Sequence, residues 1–447
     1  MTIVHIANTL EGIQPAIDAI FGSHGGVESV IPKNGGTVYV KPNGIHFTPH
    51  THTDPVVLEA ILAYLRDHGY ERLAVMESCT GGNFTRLVFK VTGYTKICRR
   101  YGAEPIYLDE GPTVQVSLRD GTHARVSRRL HDEVIQRGNN PSTRSGHSFY
   151  LSLPKLKTHS MSKVTLGVKN QQAFPVDADR MEQHSHETLH RRLAALYALT
   201  QPDFCIVEGL MATAHGHFPT TETIDESLVP MEILIGGPDT LAVDVVGARV
   251  LGYSLDEVEH LRLCAEWELG EGDLARIDVR GVGLERFTER LPHTLLRRLH
   301  PDVHWVIGRQ KACVEGCRGN SEAIHEMLYH DHTPPSPPQK SGGEKGWTLV
   351  CGSGFEESDL DDLPGKILVV GVCACAEVGD RLAQRYPRRR IYRVDAHNDL
   401  MSNTRYQAKL MDVTPVKMVP LHPLISAITL LQAKLHGLKA RVPPIWG

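Results

Sequence analysis

The feature that most constrains the fold is a repeated alternation of short β-branched runs with longer helical patterns. Thr37–Lys41 is a compact apolar run closed by Pro42, Asn43 and Gly44, which reads as a strand and its turn. Asp54 and Pro55 then open a stretch with apolar residues at Val57, Ile61, Leu62 and Leu65. That spacing predicts a helix with Asp54 as N-cap, Pro55 at the first position and Gly69 as its stop. Leu73–Met76 reads as a buried strand, a stretch from about Thr92 to Arg100 as a helix, and Glu104–Leu108 as a strand. The pattern returns with strands over Ser148–Leu153, Asp203–Val207 and Met231–Ile235, and helices over His186–Leu199, Asp239–Leu251 and Leu255–Leu269. Repeated units of this kind predict an α/β fold: a mostly parallel sheet with helices on both faces.

The pattern breaks near residue 300. Residues 333–343, TPPSPPQKSGG, read as an exposed Pro-rich loop. Beyond it, a strand over Gly365–Gly371, a helix and a strand over Arg390–Val394 make a compact βαβ unit. The expected organisation is a main α/β domain over 1–300 and a smaller, Cys-containing α/β domain over 301–447. A chain of 447 residues has ample core for both. With 48 Lys and Arg against 52 Asp and Glu, it lacks the basic footprint of a nucleic-acid binder. No apolar run reaches the roughly 18–20 residues of a membrane span. The first residues, MTIVHIANTLEGIQ, lack a basic segment followed by a long apolar one, so a cytoplasmic location is expected.

In sheets of this kind ligands sit at the carboxyl ends of strands, so the loops there hold the candidate chemistry. Leu151–Asn170 reads as a strand leading into a loop with Lys155, Lys157, His159, Lys163 and Lys169. Such concentrated positive charge suits a small anionic molecule, a carboxylate or a phosphate. A partly desolvated lysine there can also act as base or nucleophile. A solvated basic loop is the plainer alternative; the apolar flanks favour function. Lys157 and Lys169 are assigned to binding or activating the substrate, and His159 to acid–base work. Lys41, Asn43, Lys155 and Asn170 are assigned to substrate binding. Glu77 and Glu208 are expected to flank the same cleft, with Glu77 as the further acid or base. Asp244, inside a helix on an apolar face, reads as buried beside a basic partner.

Two other groups suit metals. The histidines cluster as His46, His50 and His52, as His184, His186 and His190, and as His215 and His217. Their convergence would bind Ni, Fe or Zn, with His184 and His186 as ligands; with 25 His in the chain, chance clustering is the alternative. Five of the nine cysteines, Cys313, Cys317, Cys351, Cys373 and Cys375, fall close together beside glycines. Thiolate sets of this kind hold an iron–sulfur cluster or zinc. Their spacings match neither the ferredoxin run nor a zinc ribbon, and buried unligated thiols are the alternative.

KPNG at 41–44, TDP at 53–55, PKLKTH at 154–159, VKN at 168–170 and GGPDTLAVD at 236–244 resemble a bacterial and archaeal family called domain of unknown function 362. The resemblance covers about residues 35–285. Some members of that family carry ferredoxin-like motifs, so the resemblance implies an iron–sulfur cofactor. A more distant similarity is to the N-terminal domain of the lactate racemase family. There a histidine is followed ten residues later by a lysine that holds a nickel-pincer nucleotide, and a later histidine ligates the nickel. His159 and Lys169 have that spacing, and His184 or His186 stands for the later histidine. The chain departs from that family in having Leu166-Gly167-Val168-Lys169 for its Gly-Gly-x-Lys, and Glu77-Ser78-Cys79-Thr80 near its Gly-Thr-His.

Three functions are therefore expected. The first is an iron–sulfur or metal-dependent, oxidoreductase-like enzyme acting on a small anionic substrate. The second is a nickel-pincer isomerase or epimerase. The third is a non-catalytic iron–sulfur electron-transfer or metal-handling protein. The first and third imply a redox partner protein.

Overall fold

The computed structural model describes all residues except 81, 138–147, 183–186, 217, 220–222, 296–302, 315, 333–345, 414–418 and 441–447. The Pro-rich stretch at 333–343, His184, His186 and His217 therefore lie outside the described residues. The first unit carries strands Thr2–Asn8 (β1), Val38–Pro42 (β2), Leu73–Glu77 (β3) and Glu104–Tyr107 (β4). Thr113–Ser117 (β5) and His123–Ser127 (β6) pair with each other in a separate two-stranded sheet. Then follow Phe149–Leu153 (β7), Lys155–His159 (β8), Lys163–Thr165 (β9), Phe204–Thr213 (β10), Leu228–Gly237 (β11) and Ile277–Gly281 (β12).

The main sheet runs β12-β1-β11-β10-β7-β2-β3-β4, with β8 beside β10 and β9 beside β8. Its centre, β10-β7-β2-β3-β4, is parallel throughout. β11 runs antiparallel to both β10 and β1, so the sheet is mixed but mostly parallel. Alternate residues point to opposite faces. Val38, Val40 and Val75 pack with the helices Ile13–Gly22 and Pro55–Asp67. Tyr39, Ala74, Met76 and Tyr150 pack on the other face with Ala195 and Leu196 of the helix Leu189–Thr200. Near-continuous apolar strands of this kind are what two covered faces require.

The helix Pro55–Asp67 forms as its caps and spacing predict. The Asp54 side chain accepts from Val56 N at 2.9 Å, and Val57, Leu58, Ile61, Leu62 and Leu65 are buried. Each such side chain stabilises the fold by roughly 1.5–3 kcal/mol when fully buried.

One expectation needs correction. Lys155–His159 is a strand, not a loop, and all five of its residues are buried. The reason is β10, which is ten residues long rather than stopping at Val207. Its extension gives the chain beyond Pro154 a pairing partner, so β8 continues the sheet where β7 ends.

The second unit is a four-stranded parallel sheet: Val303–Ile307 (β13), Trp347–Cys351 (β14), Ile367–Val370 (β15) and Ile391–Val394 (β16), in that order. The helix Val372–Arg385 packs on one face and Cys317–His332 on the other. The last described helix, Pro423–Leu435, leaves this sheet. It packs Leu430 and Ala433 against Phe84 and Leu87 of the first unit. No helix among the described residues is long and apolar enough to cross a membrane.

Candidate functional site

Four lysines and two glutamates meet at the carboxyl ends of the central strands. Two of the lysines are matched by carboxylates. Lys155 and Glu208 face each other in register on β8 and β10, with Nζ 2.8 Å from Oε2 and both side chains essentially unexposed. Glu208 also accepts from Leu210 N at 2.9 Å and Asp54 N at 3.2 Å. Lys41, at the end of β2, donates to Glu77 Oε2 at 3.0 Å and to Asn170 Oδ1 at 3.1 Å. Glu77 further accepts from Gly44 N and Ser78 N, each at 2.7 Å. A Cβ on Gly44 would lie 2.8 Å from Glu77 Cγ, so only glycine lets this turn close on the carboxylate. Buried charges need partners and hydrogen bonds of this kind.

The other two lysines are not matched. Lys157 is buried and donates to Asn43 Oδ1 at 2.8 Å and to Thr51 O, but pairs with no carboxylate among the described residues. Burial, reinforced by Lys169 and Lys155, pushes its pKa well below the ordinary lysine value. Lys169 sits in the turn Gly167–Asn170, only partly exposed, and its side chain makes no hydrogen bond or ion pair with any described residue. Burial and the charge of Arg180 push it down to about 7. An amine with that value is substantially unprotonated near neutrality, as a base or nucleophile must be.

His159 ends β8. Its Nδ1 accepts from Met161 N at 3.1 Å and Ser162 N at 3.3 Å, which leaves the proton of a neutral ring on Nε2. Asp244 is buried as expected, but its partners are backbone amides rather than a basic side chain: Gly167 N and Val168 N, each at 2.7 Å. A buried carboxylate is satisfied as well by two amides as by a cation. Arg180 is a member that sequence reasoning missed. It donates to Cys79 O at 2.7 Å and Ser78 O at 3.3 Å, and its charge acts on both Lys41 and Lys169. Its one local signal is Asp177 three residues earlier, which it contacts at 3.4 Å.

The histidine groups are placed less compactly. His52 is buried near Lys155 and Lys157, and burial with their charge pushes its pKa down to about 4. His190 stacks on His260 at 5.8 Å between centroids, and His215 lies by Thr294. Among the described residues, no three His, Cys, Asp or Glu side chains are placed to hold a metal ion together.

Four of the five singled-out cysteines gather at the carboxyl edge of the small sheet. Cys351 ends β14, Cys373 lies in the first turn of the helix after β15, and Cys317 opens the helix after β13. Burial raises the pKa of Cys317 and of Cys351; Cys313 and Cys373 add to the first, and Glu322, Cys317 and Cys313 to the second. Gly371 is tight here: a Cβ on it would lie 2.8 Å from Cys317 Sγ. Cys375 does not join them. It is turned under its helix, with Sγ 3.5 Å from Val394 O and 3.7 Å from Val369 O. The thiol edge is linked to the loop that follows His159. Asn398 donates from its backbone to Cys317 Sγ at 3.3 Å and from its side chain to Met161 Sδ at 3.9 Å, and Met161 is the residue that donates to His159.

Residues 38–249 match the model of a family described as a domain of unknown function, DUF362. This stretch of the chain is similar to that family. It contains β2–β11 and every lysine of the cleft, and lies within the span expected from the sequence motifs. Its end at residue 249 leaves β12 and the whole thiol-bearing sheet outside the family match. No curated protein matches the chain, so the likeness to lactate racemase finds no support there.

Proposed function

We propose that the DUF362-like domain is an enzyme that binds a small anionic substrate in the lysine cleft, with Lys157 holding the anion and Lys169 acting as its acid–base or nucleophilic amine. The observation that carries this reading is the contrast among the lysines. Lys41 and Lys155 have carboxylates at 3.0 and 2.8 Å, whereas Lys157 and Lys169 have none among the described residues. Two adjacent amines with depressed pKa values favour an incoming anion, which restores the missing counter-charge. Asn43 and Asn170 fix the lysine positions through hydrogen bonds, and Glu77 holds Lys41 in place. His159, with a proton on Nε2, is the second acid–base group.

The test is calorimetric titration with inorganic phosphate and with acetate, in two buffers of different ionisation enthalpy. Saturable binding with proton uptake, lost in Lys157→Met, is expected. No binding of any anion by the folded wild-type protein would overturn the reading.

A second reading concerns the thiol edge, and its proximity to His159 through Asn398 and Met161 favours it. Cys313, Cys317, Cys351 and Cys373 suit an iron–sulfur cluster, whose thiolate ligands stand further apart than those of a single ion. Such a cluster would supply one-electron chemistry beside the cleft, and with it an oxidoreductase role and a redox partner protein. Anaerobic purification with iron, sulfide and visible-absorption analysis tests it. Iron with acid-labile sulfide supports the reading, and a colourless, iron-free protein removes it.

A further inference from the structure

The Lys169 side chain has to be held in place without any bond of its own, so the turn that carries it must be fixed by other groups. The turn Gly167–Asn170 has only four residues and cannot fix itself. Its far end is tied by Asn170, whose Nδ2 donates to Lys41 O at 3.2 Å and Ser152 Oγ at 3.0 Å. Its near end is tied by two side chains: Gln171 Nε2 donates to Gly167 O at 2.8 Å, and Asp244 holds the amides. Asp244, fully buried in the helix Thr240–Val250, accepts from Gly167 N with Oδ1 and from Val168 N with Oδ2, each at 2.7 Å. The fit leaves no room for error. A Cβ on Gly167 would lie 2.5 Å from Thr240 Cγ2, 2.9 Å from Cys205 Sγ and 3.0 Å from Asp244 Oδ1.

We propose that Asp244 is a positioning residue: its carboxylate clamps the Gly167–Val168 amides and so sets where Lys169 stands in the cleft. The inference rests on the reading of Lys169 as the working amine. A carboxylate offers an acceptor on each oxygen, whereas an amide offers one acceptor and one donor. Asp244→Asn therefore turns one of the two amides against an N–H group and releases that end of the turn.

The test is pulse labelling of amines with acetic anhydride across pH, read by peptide mass spectrometry, with exposed Lys311 as internal reference. In the wild-type protein Lys169 is expected to label with a midpoint near 7. In Asp244→Asn the midpoint rises toward the ordinary lysine value, with roughly ten-fold less labelling at neutral pH for each unit of the rise. A folded Asp244→Asn protein with the wild-type Lys169 profile would overturn the proposal, whatever its melting temperature. A wild-type midpoint near the ordinary value of 10.5 would instead overturn the reading of Lys169. If Asp244→Asn does not fold, amide exchange on the wild-type protein decides. Gly167 and Val168 must exchange far more slowly than their intrinsic rates. Unprotected amides at both positions would overturn the clamp.

Discussion

The two sheets put their reactive side chains in the same place and fill it with opposite chemistry. Both gather them at the carboxyl ends of parallel strands. The large sheet gathers amines: Lys41, Lys155, Lys157 and Lys169. The small sheet gathers thiols: Cys313, Cys317, Cys351 and Cys373. The difference lies in what each set costs when it holds nothing. A neutral thiol is a small apolar group and packs at little cost. A buried ammonium is expensive without a counter-charge, and Lys157 and Lys169 have none among the described residues. Packing alone can account for the cysteines. It cannot account for two unmatched lysines beside two matched ones.

The largest effect expected from this comparison separates the lysines from one another. Glu208→Ala leaves Lys155 buried and unpaired, and should cost about 3–5 kcal/mol in urea denaturation. Lys157→Met removes an amine that no carboxylate awaits but leaves Asn43 Oδ1 and Thr51 O without its bonds, and should cost less, about 1–3 kcal/mol. Equal losses for the two variants would erase the distinction on which the proposed function stands.

A smaller effect is the pH response of Lys169. The unfolded chain holds that proton until about the ordinary value of 10.5, and the folded protein releases it near 7. Between those values the unfolded state binds more protons, so the Lys169 contribution to stability grows as pH rises from 7 to 10.5. Anion affinity moves the other way, falling as pH rises through 7 and the ammonium is lost. Calorimetric titrations with phosphate on both sides of that value check the sign, and a pH-independent affinity would exclude Lys169 from the binding step.

The smallest effects belong to the thiols. On the iron–sulfur reading, changing Cys313 and Cys317 together to serine should abolish iron binding while shifting stability by no more than about 1 kcal/mol. Cys375→Ser should leave iron content unchanged, because that sulfur is turned toward the carbonyls of β15 and β16. Iron that depends on Cys375 would redraw the thiol edge.

Local signals were readable wherever the physics is local. Asp54, Pro55 and the spacing of Val57, Ile61, Leu62 and Leu65 announce the helix Pro55–Asp67 because caps and periodicity act within a few residues. The parallel centre of the sheet follows from the βα alternation in the same way. Lys155–His159 was misread because a strand that buries lysines looks polar from sequence alone. What makes it a strand is β10, and what lets Lys155 be buried is Glu208, 53 residues away. Arg180 left only Asp177 as a local signal, since its other partners are the carbonyls of Ser78 and Cys79 about a hundred residues earlier. The members of the cleft were recognisable by residue type, but the division into matched and unmatched lysines was not. It exists only once β2, β3, β8 and β10 are side by side.

That side-by-side placement has a consequence for how the chain assembles. The ion pair of Lys155 with Glu208 works as proofreading for strand pairing. If β8 slipped by one residue along β10, Lys155 would turn to the face where Leu156 now packs, and Leu156 would turn into the cleft. The error would strand two charges at once, and the same holds for Lys41 and Glu77 across β2 and β3. Apolar strands covered on both faces penalise such slips weakly, because either side of the strand is greasy enough to be buried. The two buried salt bridges supply the discrimination that the apolar pattern lacks, so threading errors at the centre of the sheet are rejected by charge.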